Sequence, residues 1–143
     1  MKVSEAMTRD PQIMRPDGTI QEAATMMQKI DAGALPVGEG DRLVGMITDR
    51  DIALRGVGQG KGPSAKVREV MTSDVKYCFD DEDLDQVCRN MGDLQVRRLP
   101  VINRDKRLVG ILSLGDLSRT AADHAGEALA NISRPGGQHN QSH

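Results

Sequence analysis

The sequence predicts an α/β (α+β) fold made of two copies of one β-α-β-β-α unit, and three observations carry that prediction. The first is an internal repeat. Val3-Ser4-Glu5-Ala6-Met7-Thr8 matches Val67-Arg68-Glu69-Val70-Met71-Thr72 at an offset of 64, which holds through Leu35-Pro36-Val37 and Leu99-Pro100-Val101. The offset then becomes 65, placing Arg42-Leu43-Val44-Gly45 on Arg107-Leu108-Val109-Gly110. The second is a helix-capping pattern followed by apolar residues at helical spacing, once in each copy. The third is a pair of short apolar runs around a polar turn, again once per copy, as a buried hairpin requires.

Taken in chain order, each unit opens with a short strand around Ile13-Met14 or Tyr77-Cys78. Thr19-Ile20-Gln21-Glu22 is a capping-box pattern, and Asp83-Leu84-Asp85-Gln86 stands in its place in the second copy. Ile20, Ala23, Ala24 and Met27 then share one helix face, echoed by Leu84, Val87, Cys88 and Met91. Leu35-Pro36-Val37 and Leu43-Val44-Gly45-Met46-Ile47 form the hairpin of the first copy. Leu99-Pro100-Val101-Ile102 and Leu108-Val109-Gly110-Ile111-Leu112 form that of the second, around Asn103-Arg104-Asp105-Lys106. A second helix starts near Asp49 and near Leu114. The expected organisation is a first repeat over 1–56, a Gly-rich linker over 57–66, a second repeat over 67–122 and a polar tail over 123–143, partly disordered. Each unit of about 50–55 residues is marginal alone, so the two are expected to share one core.

Composition narrows the chemistry. Hydrophobic residues make up 38% of the chain but only Tyr77 and Phe79 are aromatic, so the core is aliphatic with eight Met as filler. A net charge of −2 and the lack of a basic block exclude nucleic acid as the main partner, and the scarcity of aromatics removes stacking platforms. No apolar run is long enough to span a bilayer and no signal peptide is visible, which implies no membrane association and a cytoplasmic protein with reduced thiols. Gly60-Lys61 lacks the flanking residues of a phosphate loop and follows a helix. The acids Asp80-Asp81-Glu82-Asp83 suit a helix start better than a metal. Cys78 and Cys88 align with the apolar Met14 and Ala24, as core thiols would. No nucleophile-base pair or metal triad is apparent, which speaks against an enzyme.

The junction between the second hairpin strand and the following helix carries the functional signal. Gly45-Met46-Ile47-Thr48-Asp49-Arg50-Asp51 and Gly110-Ile111-Leu112-Ser113-Leu114-Gly115-Asp116 both fit G-x-x-[ST]-x-x-D. Helix capping accounts for the hydroxyl and the acid, but not for a glycine inside a strand, which marks close approach by another backbone or by a ligand. A hydroxyl at a helix start suits a phosphate, and a carboxylate one turn on suits a vicinal diol such as ribose. Together these residues point to a sugar-phosphate site.

The duplicated unit, the [VI]-x-x-[VA]-M-T opening, the L-P-V strand and the G-x-x-[ST]-x-x-D junction resemble a pair of CBS domains over residues 1 to about 122. That resemblance implies two repeats about a pseudo-twofold axis, with clefts between them for AMP, ADP, ATP, NAD or S-adenosylmethionine. No cofactor is required, and AMP, ATP or NAD are the leading ligands. It implies that Asp51 and Asp116 hold ribose hydroxyls, that Thr48 and Ser113 meet phosphate, and that the base lies by Met14 and Cys78. It also implies a homodimer, signalling by conformational change to a regulated protein partner. Arg50 has Gly115 as its counterpart, so the first site is expected to hold phosphate more strongly. Arg97 and Arg98, which replace Gly33 and Ala34, could charge one cleft. The alternative from another class is a ligand-free interaction and dimerisation module whose junction motif only caps helices.

Overall fold

The computed structural model describes residues 1–94 and 97–113. The expected helix near Leu114, the acid Asp116 and the tail lie outside the described residues. The chain divides into two compact units. Among the described residues, one joins Met1–Pro11 to the chain between Lys76 and Ser113, and the other spans Gln12–Val75.

This division differs from the repeat boundaries in an instructive way. The opening segment of each repeat packs with the hairpin of the other repeat. In the first unit, α1 (Val3–Ala6) and β1 (Thr8–Arg9) join β4 (Cys78–Phe79), α4 (Leu84–Leu94), β5 (Arg98–Ile102) and β6 (Leu108–Ser113). The sheet order is β1-β6-β5-β4, with Thr8 opposite Ile111, Arg98 opposite Ser113, and β4 parallel to β5 through Cys78 and Val101. In the second unit, β2 (Ala34–Glu39) and β3 (Arg42–Thr48) form the hairpin. Single bridges there repeat the two outer lanes, Met14 parallel to Val37 and Met46 antiparallel to Thr72. The first-copy strand around Ile13-Met14 is thus one bridge long, and its second-copy counterpart begins one residue later than expected.

Helix α2 (Ile20–Ile30) starts at the expected capping box. The Thr19 hydroxyl accepts from the Glu22 N–H at 3.1 Å, and the Thr19 N–H donates to Glu22 Oε1 at 3.2 Å. Asp83 caps α4 by accepting from the Gln86 N–H at 3.2 Å. Helix α3 (Asp49–Asp51) runs on as a π-helix over Ile52–Gly56 and a 3-10 turn over Val57–Gln59, ending at Gly60 with φ 78°. The expected linker is therefore structured. Its Pro63 and Ala65 carbonyls accept from the Gln21 and Ile20 N–H groups, which are free donors of the first turn of α2.

Among the described residues the buried apolar side chains fall into two clusters, one in each unit. Val3, Ala6, Met7, Cys78, Leu84, Val87, Cys88, Met91, Leu99, Val101 and Leu112 make the first. Met14, Ile20, Ala23, Met27, Leu35, Val37, Ile47, Val67 and Val70 make the second. Each contains residues from the opening segment of the other repeat, so neither half of the sequence supplies a complete core by itself.

Candidate functional site

The candidate site is the end of β3. Extended backbone at Thr48 turns into α3, and the two residues of the motif hold one another. The Thr48 N–H donates to Asp51 Oδ2 at 3.0 Å, and the Asp51 N–H donates to Thr48 Oγ1 at 3.0 Å. The other oxygen of Asp51 faces Arg55 Nε at 4.0 Å, beyond hydrogen-bonding distance, and the Asp51 side chain keeps 14% of its surface exposed. The Arg55 guanidinium itself donates to the Val70 and Met71 carbonyls, both at 3.3 Å. Arg50 is exposed and its backbone N–H donates to Asp49 Oδ1 at 2.8 Å.

The glycines of the motif have a structural cause. A Cβ on Gly45 would lie 2.8 Å from the Thr72 carbonyl and 2.9 Å from Met71 Sδ. A Cβ on Gly110 would lie 2.8 Å from the Thr8 carbonyl and 2.6 Å from Met7 Sδ. Glycine is thus required by the Met-Thr edge segment that pairs alongside, and the close approach inferred from the sequence is made by backbone. The glycines consequently say nothing about a ligand.

At the second junction Ser113 ends β6 with Arg98 directly across from it, where Ala34 faces Thr48 in the other unit. Both junctions therefore have a cation nearby, Arg50 by position in one and Arg98 by register in the other. Arg97 lies just before β5 and is exposed. Met14 and Cys78 are core residues, 7% and 3% exposed. Burial, with Glu82 and Asp80 adding to it, pushes the Cys78 thiol up to about 12. Tyr77 meets Phe79 edge-on with ring centroids 5.7 Å apart. Among the described residues no trio of His, Cys, Asp or Glu is placed to hold a metal, and no helix is long and apolar enough to cross a membrane.

Two four-lane α+β units that exchange their opening segments, each with an [ST]-x-x-D strand end, define a tandem-repeat module. The CBS-domain family model matches residues 3–57 and 67–123, and the chain belongs to that family. It is 41% identical over 133 residues to the CBS domain-containing protein YhcV of Bacillus subtilis, covering 92% of this chain and 94% of that protein. Among solved structures it is similar to the CBS domain pair of protein MJ0100 in complex with 5-methylthioadenosine and S-adenosyl-L-methionine. There the TM-score is 0.73 at 30% identity, covering 86% of this chain and 97% of that one. It is also similar to CBSX2 in complex with AMP, with a TM-score of 0.75 at 25% identity, covering 85% and 96%.

Proposed function

We propose that this chain is a non-enzymatic regulatory module that binds an adenosyl ligand, AMP, ATP, NAD or S-adenosylmethionine, at its strand-to-helix junctions. The observation that supports this most is the half-used carboxylate of Asp51. One oxygen is committed to Thr48, and among the described residues the other has only the long contact with Arg55, leaving lone pairs for the two hydroxyls of a ribose. The Thr48 hydroxyl accepts from Asp51 and keeps its own hydrogen to donate to a phosphate oxygen. Arg50 adds charge of the right sign next to it. In this reading Asp116 and Ser113 repeat the arrangement, with Arg98 as the neighbouring cation. The AMP and S-adenosylmethionine complexes of the two similar proteins favour the same ligand class.

The ligand signals by stabilising one arrangement of the module over another, which a regulated protein reads in the cytoplasm; the module itself pairs as a homodimer. Thermal denaturation with each adenosyl compound tests the reading, because a ligand that binds only the folded chain must raise its melting temperature.

A further inference from the structure

The second unit holds a cleft that the adenosyl reading does not use. Its volume is about 580 Å³, within the range of small-molecule pockets, and Ile13, Arg15, Asp17, Gly38, Gly40 and Arg68 are among the residues that line it. It opens at the turn of the β2–β3 hairpin, the opposite end from Thr48, since Ala34 pairs with Thr48 and Glu39 with Arg42.

Comparison with the other repeat shows why this space is open. Arg15 and Asp17 align with Phe79 and Asp81 at the offset of 64, and Gly40 and Arg104 each stand in the turn of their own hairpin, where the second copy is one residue longer. In the first unit Arg104 lies 3.9 Å above the Phe79 ring and bonds Asp81 through Nε at 2.9 Å and Nη2 at 2.8 Å. That side chain lies across the Phe79 ring beside the hairpin turn. In the second unit Gly40 has no side chain to do so and has φ 64°, where glycine is favoured. Asp17 pairs instead with Arg68, through Nε at 3.1 Å and Nη2 at 2.5 Å, and with Lys66 at 3.8 Å. The Arg15 guanidinium, in place of the aromatic ring, has no hydrogen bond or ion pair among the described residues. The hydrogen bond from Arg68, then the fields of Arg68, Lys66 and Arg15, hold the Asp17 carboxyl below the usual carboxylate range. The lining holds two cations, Arg15 and Arg68, and two carboxylates, Asp17 and Glu39; Arg68 is held by Asp17, so Arg15 is the lining cation that no carboxylate pairs.

We propose that this cleft is a second small-molecule site, for a compact oxyanion, with Arg15 and the anchored Arg68 as its ligands and Ile13 as an apolar wall. The oxyanion is a phosphate or carboxylate group. Arg68 is pre-positioned by Asp17, and Arg15 is the cation with charge to give. In the first unit the corresponding groups are already engaged with one another, Arg104 against the Phe79 ring and the Asp81 carboxylate.

The test is a ¹H–¹⁵N NMR titration of the full chain with inorganic phosphate and, separately, with citrate, each against chloride at matched ionic strength. Saturable shifts at the Gly38, Glu39 and Gly40 amides are expected. They should survive Asp51→Asn, which separates this site from the adenosyl one, and weaken roughly tenfold in Arg15→Ala. The double variant Arg15→Phe/Gly40→Arg, which copies the Phe79–Arg104 contact of the other unit and removes the free guanidinium, should abolish them. Response to phosphate alone or to citrate alone identifies the group bound. Shifts that do not saturate with either anion, or that persist unchanged in Arg15→Ala, overturn the proposal. Arg15 is exposed and its substitution leaves both cores intact, so this variant decides the matter even if the double variant does not fold.

Discussion

Met46 and Thr72 exchange both backbone hydrogen bonds, N–H to carbonyl in each direction at 2.9 Å, and Gly45 beside them has no side chain to obstruct the approach. Thr72 belongs to the opening of the second repeat and Met46 to the hairpin of the first. The first unit has the same relationship between Thr8 and Ile111, beside Gly110. The [VI]-x-x-[VA]-M-T opening and the glycine of the junction motif are two sides of one packing arrangement.

Gly45→Ala and Gly110→Ala should each destabilise the chain by roughly 1–3 kcal/mol, since the added methyl meets a carbonyl oxygen that cannot turn aside. Gly62→Ala, where a Cβ meets nothing within 4 Å, is the control and should be neutral or slightly stabilising. Urea denaturation of the three variants checks this. Equal stability of Gly45→Ala and Gly62→Ala would contradict the role given to the edge segment.

Thr48→Ala removes the acceptor for the Asp51 N–H and should cost about 0.5–2 kcal/mol without ligand, while Thr48→Ser should keep most of the cap. Thermal melts of the unliganded variants measure this term before any ligand is added.

Much of this fold was legible in the sequence. The capping box at Thr19 and the cap at Asp83, the helical spacing after them and the two hairpins stand where local pattern places them, because capping and amphipathic periodicity are properties of adjacent residues. The exchange of opening segments was not legible. Thr8 and Ile111 are far apart in sequence, and nothing local to Val3–Thr8 says which hairpin it will edge. The Gly-rich stretch 57–66 read as a linker for the same reason: its order comes from the Pro63 and Ala65 carbonyls meeting α2 across the chain. At the site, the Thr48–Asp51 pair was visible as a motif. The core place of Cys78 was visible from its alignment with the apolar Met14, whereas Arg98 facing Ser113 depends on a strand register that single residues do not disclose.

The carboxyls of Asp17, Glu69 and Asp81 all lie below the ordinary carboxylate range. The main causes are the Arg68 side chain, the Lys66 backbone N–H and the Arg104 side chain respectively. A lowered folded-state pKa contributes stability that is present above the unfolded value and lost as pH falls through the folded value. Stability should therefore decline on acidification below the ordinary carboxylate pKa, and Asp81→Asn should flatten part of that decline. All three groups are solvent-facing, so each effect is small and weakens with salt. Melting temperature against pH at two salt concentrations checks both points, and a variant as acid-sensitive as the parent would contradict the Asp81 assignment.

Cys78 is buried and its thiol is pushed up to about 12, so it should resist thiol reagents in the folded chain and react once denatured. Because its folded pKa is raised, the stabilisation it gives is complete below the ordinary thiol pKa. It is lost as pH rises from there toward about 12. Labelling with a chromogenic disulfide, with and without denaturant, reads this directly. Rapid labelling of Cys78 in the native chain would contradict its place in the core.

The adenosyl site is tested most directly by calorimetric titration of AMP, ATP, NAD and S-adenosylmethionine, paired with thermal melts of the parent and Asp51→Asn, each compared with its own unliganded melt. At least one ligand should bind the parent saturably and, at about 100 times Kd, raise its melting temperature by roughly 5–11 °C. Asp51→Asn should lose most of the heat and of the shift at that junction. Failure of all four to bind at millimolar concentration, or undiminished binding by Asp51→Asn, would contradict the assignment of this carboxylate to a ribose.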